Sequence, residues 1–222
     1  MIRMLRKTDH KELRRRKAKS TTYLTRKRYD RLAPFYDLLE APVEKFRFSS
    51  WRNRLKDRVT GKRGLEVGVG TGKNFRYYPS NVQITAIDMS PRMLERAKKR
   101  AQVLNLDVDL RQMDVQELQF RDKTFDTVFA TFVFCSVPDP VLGLRELRRV
   151  CKVGGRLLLL EHMKPQNYLL GAIFDALNPL VVRMTGANIN RKTIDNINRA
   201  GWTVEMVKNL SSDIICWIEA RP

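Results

Sequence analysis

A short apolar run that ends in three alternating glycines constrains this chain more than any other feature. Residues 64–67, Gly-Leu-Glu-Val, lead into Gly68, Gly70 and Gly72. The pattern is typical of a buried strand that breaks into a tight turn. Because glycine permits a positive φ and has no Cβ, the backbone of such a turn can lie against a ligand and point its N–H groups at it. The pattern therefore predicts a ligand-binding turn.

Residue spacing excludes two common phosphate-binding turns. A dinucleotide-binding turn, G-x-G-x-x-G, that begins at Gly68 would need its third glycine at position 73, where the chain has Lys73. A P-loop needs Gly-Lys followed by Ser or Thr, whereas Gly72 and Lys73 are followed by Asn74. The turn is therefore predicted to bind neither NAD nor a nucleoside triphosphate.

Two acids end the next predicted strands. Residues 84–88, Ile-Thr-Ala-Ile-Asp, end at Asp88, near the spacing at which a carboxylate meets ribose hydroxyls in doubly wound folds. The following alternating run ends at Asp114. The carboxyl ends of parallel strands form the ligand-binding edge of such sheets. We therefore expect the glycine turn and both acids to form one site.

The pattern Glu-x-Gly-x-Gly-x-Gly over residues 66–72 resembles motif I of class I S-adenosylmethionine (SAM) methyltransferases. The resemblance implies SAM as the cofactor, which has a ribose and no phosphate. It also implies that Asp88 contacts the ribose and that Asp114 contacts the adenine amino group. Together with a tyrosine near the N-terminus, the expected cofactor-binding residues are Tyr29, Glu66, Gly68, Gly70, Gly72, Asp88, Met89, Asp114 and Val115.

Strands and helices alternate after the turn, which predicts an α/β fold with a mostly parallel, doubly wound, Rossmann-like sheet. Ser90 followed by proline predicts the start of a helix. The fully apolar run 157–160 predicts a central strand buried on both faces. Residues 166–184 are expected to form a helix broken near Pro179. The resemblance implies seven strands, the last inserted antiparallel.

The region before the turn divides into two predicted parts, which precede a methyltransferase domain over residues 61–222. Residues 1–28 are a basic arm, and residues 29–60 a helical lid and membrane-docking segment. Residues 29–37 resemble the Y-D-x-x-A-x-x-Y-D opening of ubiquinone/menaquinone-biosynthesis methyltransferases and bacterial phospholipid N-methyltransferases, in which this segment covers the SAM pocket. Within the lid, residues 43–59 predict one amphipathic basic helix, with Phe46 or Phe48 and cations such as Arg52 exposed at a membrane interface; the alternative is that Trp51 and Leu55 simply pack on the sheet.

The net charge of +19 is concentrated at the N-terminal end. Residues 1–63 hold 21 Lys and Arg against 7 Asp and Glu. Such a field attracts anionic lipid surfaces or nucleic acid, although the arm can also act only as a solubilising tail. We expect a cytoplasmic protein, peripheral to an anionic membrane, because neither a signal peptide nor a stretch of transmembrane length is evident.

Three cysteines, Cys135, Cys151 and Cys216, lie far apart with no C-x-x-C pair. Their number and spacing predict buried thiols in a reducing compartment, without a disulfide framework or a zinc site. Because Cys135 follows Phe134, the chain also lacks the Pro-Cys nucleophile of C5-pyrimidine methyltransferases. No metal is expected.

Methyl transfer from a sulfonium requires alignment and exclusion of water more than catalytic groups. An amine or ring-carbon acceptor must also lose a proton, which calls for a base. His162, at the end of the predicted central strand, is the candidate base, with a structural histidine as the alternative. Tyr36 is the second catalytic candidate, because its ring face can orient an ammonium, or it packs in the core.

The loop after the fourth strand favours a lipophilic acceptor. Residues 131–140 lack the Asn/Asp-Pro-Pro-Tyr type of loop that methyltransferases acting on adenine present there. Residues 65–72 and 137–140 resemble bacterial phosphatidylethanolamine N-methyltransferases, whereas residues 135–137, 161–162 and 186–188 resemble membrane-associated thiol methyltransferases. We predict methylation of a phospholipid head-group amine. A quinone ring carbon, an alkyl thiol and RNA are alternative acceptors, and the acids at the strand ends argue against a non-catalytic scaffold.

Overall fold

The structure, a computed structural model, describes residues 20–38 and 48–222. Its strands are β1 (Arg63–Val67), β2 (Gln83–Asp88), β3 (Asp109–Gln112), β4 (Phe125–Thr131), β5 (Cys151–His162), β6 (Thr203–Ser211) and β7 (Ile215–Arg221). They form one sheet in the order β3-β2-β1-β4-β5-β7-β6. The first five strands are parallel, and β7 is antiparallel to both β5 and β6. The predicted α/β fold class is confirmed.

In the described part of the chain, three α-helices precede the first strand, and four others lie between strands. They are α1 (20–38), α2 (Ser49–Arg52), α3 (Leu55–Arg58), α4 (Pro91–Val103), α5 (Pro140–Val150), α6 (Tyr168–Thr185) and α7 (Thr193–Arg199). As predicted, Ser90 caps α4, because its side chain accepts a hydrogen bond from the Met93 backbone N–H. The described part of the predicted arm, residues 20–28, is continuous with the predicted lid in α1, whereas residues 1–19 and 39–47 lie outside the described residues.

The core occupies both faces of the central strand β5. Leu157 and Leu159 pack in one hydrophobic cluster and Leu158 and Leu160 in a second, and all four are completely buried. Successive side chains of a strand point to opposite faces, so an uninterrupted apolar run requires cover on both sides. The three cysteines are buried and form no disulfide, as the sequence predicted.

Helix α6 runs without a break through Pro179, so the predicted break there was wrong. Proline removes one hydrogen bond from a helix interior. Tertiary contacts of the neighbouring Asn178 hold the helix in place: its Oδ1 accepts from the Ile189 N–H at 2.9 Å, and its Nδ2 donates to Asn188 Oδ1 at 3.3 Å.

The predicted single helix over residues 43–59 was also wrong in its described part, which forms two single turns, α2 and α3. Leu55 is buried, as expected for the core-facing side. Arg52, expected among exposed cations, is only 4% exposed. Phe48 stacks on Phe132 with 4.6 Å between the ring centroids. Side-chain partners in the domain therefore decide the orientation of this segment.

Candidate active site

A cavity lies at the carboxyl ends of β1, β2 and β4, under α1. It encloses about 660 Å³ of empty space, part of which is the open mouth. Its lining residues are Tyr29, Tyr36, Gly68, Gly70, Ile87, Asp88, Met89, Met93, Met113, Val115, Thr131, Phe132, Val133, Ser136 and Val137. Seven of the predicted site residues are among them: Tyr29, Tyr36, Gly68, Gly70, Asp88, Met89 and Val115.

The glycine turn adopts positive φ at all three predicted positions: +65° at Gly68, +55° at Gly70 and +79° at Gly72. A Cβ on Gly68 would lie 2.5 Å from Val133 Cγ2, and one on Gly72 would lie 2.4 Å from the Phe75 ring. At Gly70 a Cβ would meet nothing within 4 Å. Gly68 and Gly72 therefore permit close packing, while Gly70 keeps backbone open toward the cavity.

Asp88 ends β2 at the cavity wall. Its Oδ2 accepts from the Gly70 N–H at 2.9 Å and its Oδ1 from the Ser90 N–H at 2.8 Å. Burial raises the pKa of this carboxyl to about 6, against the opposing effect of these hydrogen bonds. The carboxylate thus joins the glycine turn to the start of α4.

Asp114 lies behind the wall. Its carboxylate accepts hydrogen bonds from the backbone and side chain of Gln116 at 2.9 to 3.1 Å, while the neighbouring Met113 and Val115 line the cavity. In this arrangement Asp114 fixes the loop that presents two apolar side chains. Any contact of its carboxylate with adenine remains a prediction.

Glu66 is buried below the turn and does not line the cavity. Its Oε1 accepts from Asn74 Nδ2 at 2.6 Å, and its Oε2 accepts from the Tyr78 hydroxyl. Arg52 Nη1 donates to Asn74 Oδ1 and to Thr131 Oγ1, both at 2.7 Å. Burial raises the pKa of Glu66 to about 7. This network, which the sequence analysis missed apart from Glu66, ties the turn to the end of β4.

Helix α1 is fastened over the cavity by its polar side chains. The Tyr29 hydroxyl and Ser136 Oγ are 2.6 Å apart, and Asp30 Oδ1 accepts from Ser90 Oγ at 2.6 Å. These residues join α1 to both sides of the cavity, the loop after β4 and the start of α4. Asp30 was missed as a site residue, although it belongs to the Y-D motif that the sequence analysis used.

A second set of polar contacts that holds α1 in place centres on Asp37. Thr71 Oγ1 donates to Asp37 Oδ1 at 2.6 Å, and Arg96 and Arg100 each place an Nη2 atom 2.9 Å from Asp37 Oδ2. Burial alone would raise the pKa of Asp37, but the hydrogen bonds from Thr71 and Arg96 and the charge of Arg100 outweigh it and lower the pKa. The sequence carried one signal for this contact: Arg96 and Arg100 are four residues apart, which places them on the same side of α4.

Tyr36 lines the cavity, and its ring already faces a cation. Lys73 Nζ lies 5.2 Å from the ring centroid, and the Tyr29 and Tyr36 rings are 6.4 Å apart. An aromatic face of this kind attracts ammonium and sulfonium groups through its quadrupole. The Tyr36 ring therefore already holds the Lys73 cation, and the role predicted for it in orienting a substrate ammonium stays a prediction.

His162 ends β5 at the same edge of the sheet but does not line the cavity. Its ring stacks on Phe174 with centroids 5.8 Å apart and 9° between the planes. Burial lowers its pKa below the usual value, so the imidazole is neutral at pH 7. The neighbouring Glu161, missed by the sequence analysis, accepts from the Val133 and Phe134 N–H groups at 2.9 and 3.0 Å and so shapes the loop that lines the cavity.

A turn of three glycines, an acid at the next strand end and a helical cover over a doubly wound sheet define a cofactor-dependent α/β enzyme. Within residues 20–38 and 48–222, no three His, Cys, Asp or Glu side chains are grouped so that they could hold a metal ion. The site therefore consists of a backbone turn, carboxylates, tyrosines and apolar walls.

Comparisons with known proteins agree with this class. A family described as "Methyltransferase domain" matches residues 65–159. The phosphatidylethanolamine N-methyltransferase of Cereibacter sphaeroides is 43% identical over 119 residues, which are 53% of this chain and 59% of that enzyme. The demethylmenaquinone methyltransferase of Bacillus cereus is 30% identical over 170 residues, covering 70% of this chain and 71% of that enzyme.

A similar fold is found among solved structures. A SAM-dependent methyltransferase of Thermotoga maritima superposes with a TM-score of 0.65 at 22% identity, covering 87% of this chain and 98% of that one. The chain belongs to the SAM-dependent methyltransferases, and its cofactor is S-adenosylmethionine. The match spans less than two thirds of the Cereibacter enzyme.

Proposed function

We propose that this chain transfers a methyl group from SAM to a lipophilic acceptor, with the amine head group of phosphatidylethanolamine as the first choice. The observation that carries the proposal is the apolar wall after β4, where Phe132, Val133 and Val137 line the cavity. Such a wall favours a lipid over a nucleobase, whose polar edge needs hydrogen-bonding partners. The name of the Cereibacter relative supports the same acceptor.

The cofactor would lie along the glycine turn. The Asp88 carboxylate, at the wall, would accept hydrogen bonds from the ribose hydroxyls, and the open backbone at Gly70 would approach the cofactor closely. Met89, Met113 and Val115 would form the apolar slot for the adenine. Glu66 and Gly72 would act indirectly, since one is bonded to Asn74 and the other packs against Phe75.

The acceptor would sit between α1 and the loop after β4. The faces of Tyr29 and Tyr36 would hold an ammonium near the methyl group, in line with its sulfur. A primary ammonium must lose a proton before its nitrogen can attack the methyl carbon. His162 is the proposed base, and because it lies outside the cavity lining, this role needs a direct test. If His162 is the base, His162→Gln abolishes turnover with unchanged SAM affinity, whereas retained turnover reduces it to a structural role.

A quinone acceptor is the second candidate, favoured by the longer match to the Bacillus cereus enzyme. It would use the same apolar wall, with a ring carbon in place of the amine. For either lipid we propose that the protein acts at an anionic membrane surface, to which the basic N-terminal segment is attracted.

One experiment separates the acceptors. The protein is incubated with methyl-labelled SAM and a lipid mixture that contains phosphatidylethanolamine and a demethylated quinone, and the lipid classes are then separated. Label in the head-group fraction is the expected result. Label only in the quinone fraction transfers the proposal to that acceptor, and label in neither, with SAM binding intact, rejects both lipids in favour of thiols or RNA.

A further inference from the structure

Helix α6 presents an apolar face that the domain does not cover. Leu169, Ile173, Leu177, Leu180 and Met184 recur at helical spacing and are between 47% and 72% exposed. The opposite side of the helix makes the contacts with the domain, through buried Gly171 and the half-buried Phe174 and Asn178. No helix in the described part of the chain has the length and apolar character needed to cross a membrane.

Charged residues scarcely interrupt this face. Among the 18 residues of α6, all of them described, only Asp175 and Arg183 are charged. Asp175 is paired with Lys164 and accepts a hydrogen bond from Asn190. The remaining charge on α6 is therefore the cation of Arg183, near its C-terminal end.

The outer face of α1 combines apolar side chains with cations. Its exposed apolar residues are Tyr23, Leu24, Phe35 and Leu38, at 49% to 75% exposure. Lys27 and Arg31 are exposed on the same helix, and their spacing of four and eight residues from Tyr23 places them on the same side. The two acids of α1, Asp30 and Asp37, bond inward to Ser90 and to Thr71, Arg96 and Arg100.

The two helices meet beside the cavity. The Arg28 side chain of α1 packs against Gly186, where α6 ends, because a Cβ on that glycine would lie 3.4 Å from Arg28 Cδ. Just beyond, the Asn188 N–H donates to the Cys135 carbonyl at 2.9 Å, next to the cavity residue Ser136. Helix α1 and the C-terminal end of α6 are therefore neighbours close to the cavity.

We propose that the outer faces of α1 and α6 form one surface that docks on an anionic lipid bilayer. Apolar side chains with cations and inward-turned acids suit the boundary between head groups and acyl chains of anionic lipid. Two copies of a chain with a net charge of +19 would instead repel each other. The inference deepens the proposed function and rests on it only for delivery of the acceptor from the bilayer.

The test is co-sedimentation with vesicles of phosphatidylcholine and phosphatidylglycerol. Ile173→Asp and Leu180→Asp should each weaken vesicle binding about tenfold, because a carboxylate then enters the lipid interface. Val153→Asp is the matched control, because this substitution introduces the same charge. Val153 is 74% exposed and lies near the start of β5, at the end away from His162. Vesicle binding of this variant should equal that of the unmodified protein.

Two results overturn the proposal. One is unchanged vesicle binding of both α6 variants, whether or not they dissociate a dimer, and the other is an equal loss of binding in the Val153 control. Methyl transfer to detergent-dispersed phosphatidylethanolamine is measured in parallel. Failure of that transfer with α6-dependent vesicle binding rejects the acceptor and retains the surface, whereas the reverse pattern rejects the surface alone.

Discussion

The two sides of the cavity differ in the range of the hydrogen bonds that join a carboxylate to the backbone. The turn side comprises the glycine turn and the ends of β2 and β3, and the loop side comprises residues 131–137 and the end of β5. On the turn side, Asp88 bonds to Gly70, 18 residues away, and to Ser90, 2 residues away. On the loop side, Glu161 accepts from the N–H groups of Val133 and Phe134, 28 and 27 residues away.

This difference explains which polar groups of the site can be recognised as motifs in the sequence. Residues that contact each other over a short range must stand at a fixed spacing in the sequence. The turn side can therefore be recognised there as a pattern of glycines and acids. Long-range partners meet only after the sheet has formed. The loop side also consists largely of apolar walls, whose shape depends on packing. Changes to the turn-side groups that face the cavity should therefore affect mainly cofactor binding, and changes on the loop side should affect mainly stability and the attachment of α1.

The largest effect is expected for Asp88→Ala, which should weaken SAM binding about 100-fold, the scale of lost hydrogen bonds to a charged group. Titration calorimetry measures it. Because the pKa of Asp88 is about 6, affinity of the unmodified protein should also fall as the pH drops below that value and the carboxylate is protonated. Asp114→Ala is the matched control and should cost about tenfold or less, since Asp88 lines the cavity and Asp114 does not. An equal or larger loss in the control would break the comparison.

The glycine turn should separate stability from binding. Gly68→Ala introduces a Cβ at positive φ that meets Val133 at 2.5 Å, and it should lower the free energy of unfolding by about 2 kcal/mol. Gly70→Ala has positive φ but open space, and should cost about 1 kcal/mol while weakening SAM binding. Urea denaturation and calorimetry measure the two effects. Equal stabilities of the two variants would contradict the assigned roles.

Glu161 should make stability depend on pH. Burial raises its pKa to about 7 from the usual 4.5, so the folded state keeps a proton that the unfolded state releases. Stability should therefore fall as pH rises from 4.5 to 7, by on the order of 1 to 3 kcal/mol. Glu161→Gln cannot ionise and should reduce this dependence in urea denaturation at several pH values, leaving the part contributed by Glu66 and Asp88, whose pKa values burial also raises. Parallel curves for the two proteins would reject the assignment.

The smallest effect is expected for the contact between Tyr29 and Ser136, 2.6 Å apart. A double-mutant cycle of Tyr29→Phe and Ser136→Ala should give a coupling of about 0.5–1.5 kcal/mol. The cycle of Thr22→Ala with Ser136→Ala is the control, because Thr22 bonds to Gln116. Coupling of similar size in both cycles would mean that α1 responds as a unit and that the Tyr29 hydrogen bond has no special weight.

The sequence predicted the sheet because each strand carries its own signal. The apolar run of β5, the proline after Ser90 and the glycines after β1 are local features, and the structure has a buried strand, a capped helix and positive φ at those places. The break predicted at Pro179 failed for the opposite reason. Contacts of Asn178 with Ile189 and Asn188, absent from any local pattern, keep α6 whole.

By itself, the sequence determined the class of protein, the cofactor and the turn that would receive it, because short-range backbone geometry and residue spacing encode these features. Only the tertiary structure decided that Arg52 is buried in the network around Asn74, that Asp37 fastens α1 to Arg96 and Arg100, and that His162 lies outside the cavity lining. The physical reason is that the charge or polarity of a residue does not identify the residue with which it will pair. Burial and pairing arise when distant segments pack against each other, and that packing decides which polar groups face the site.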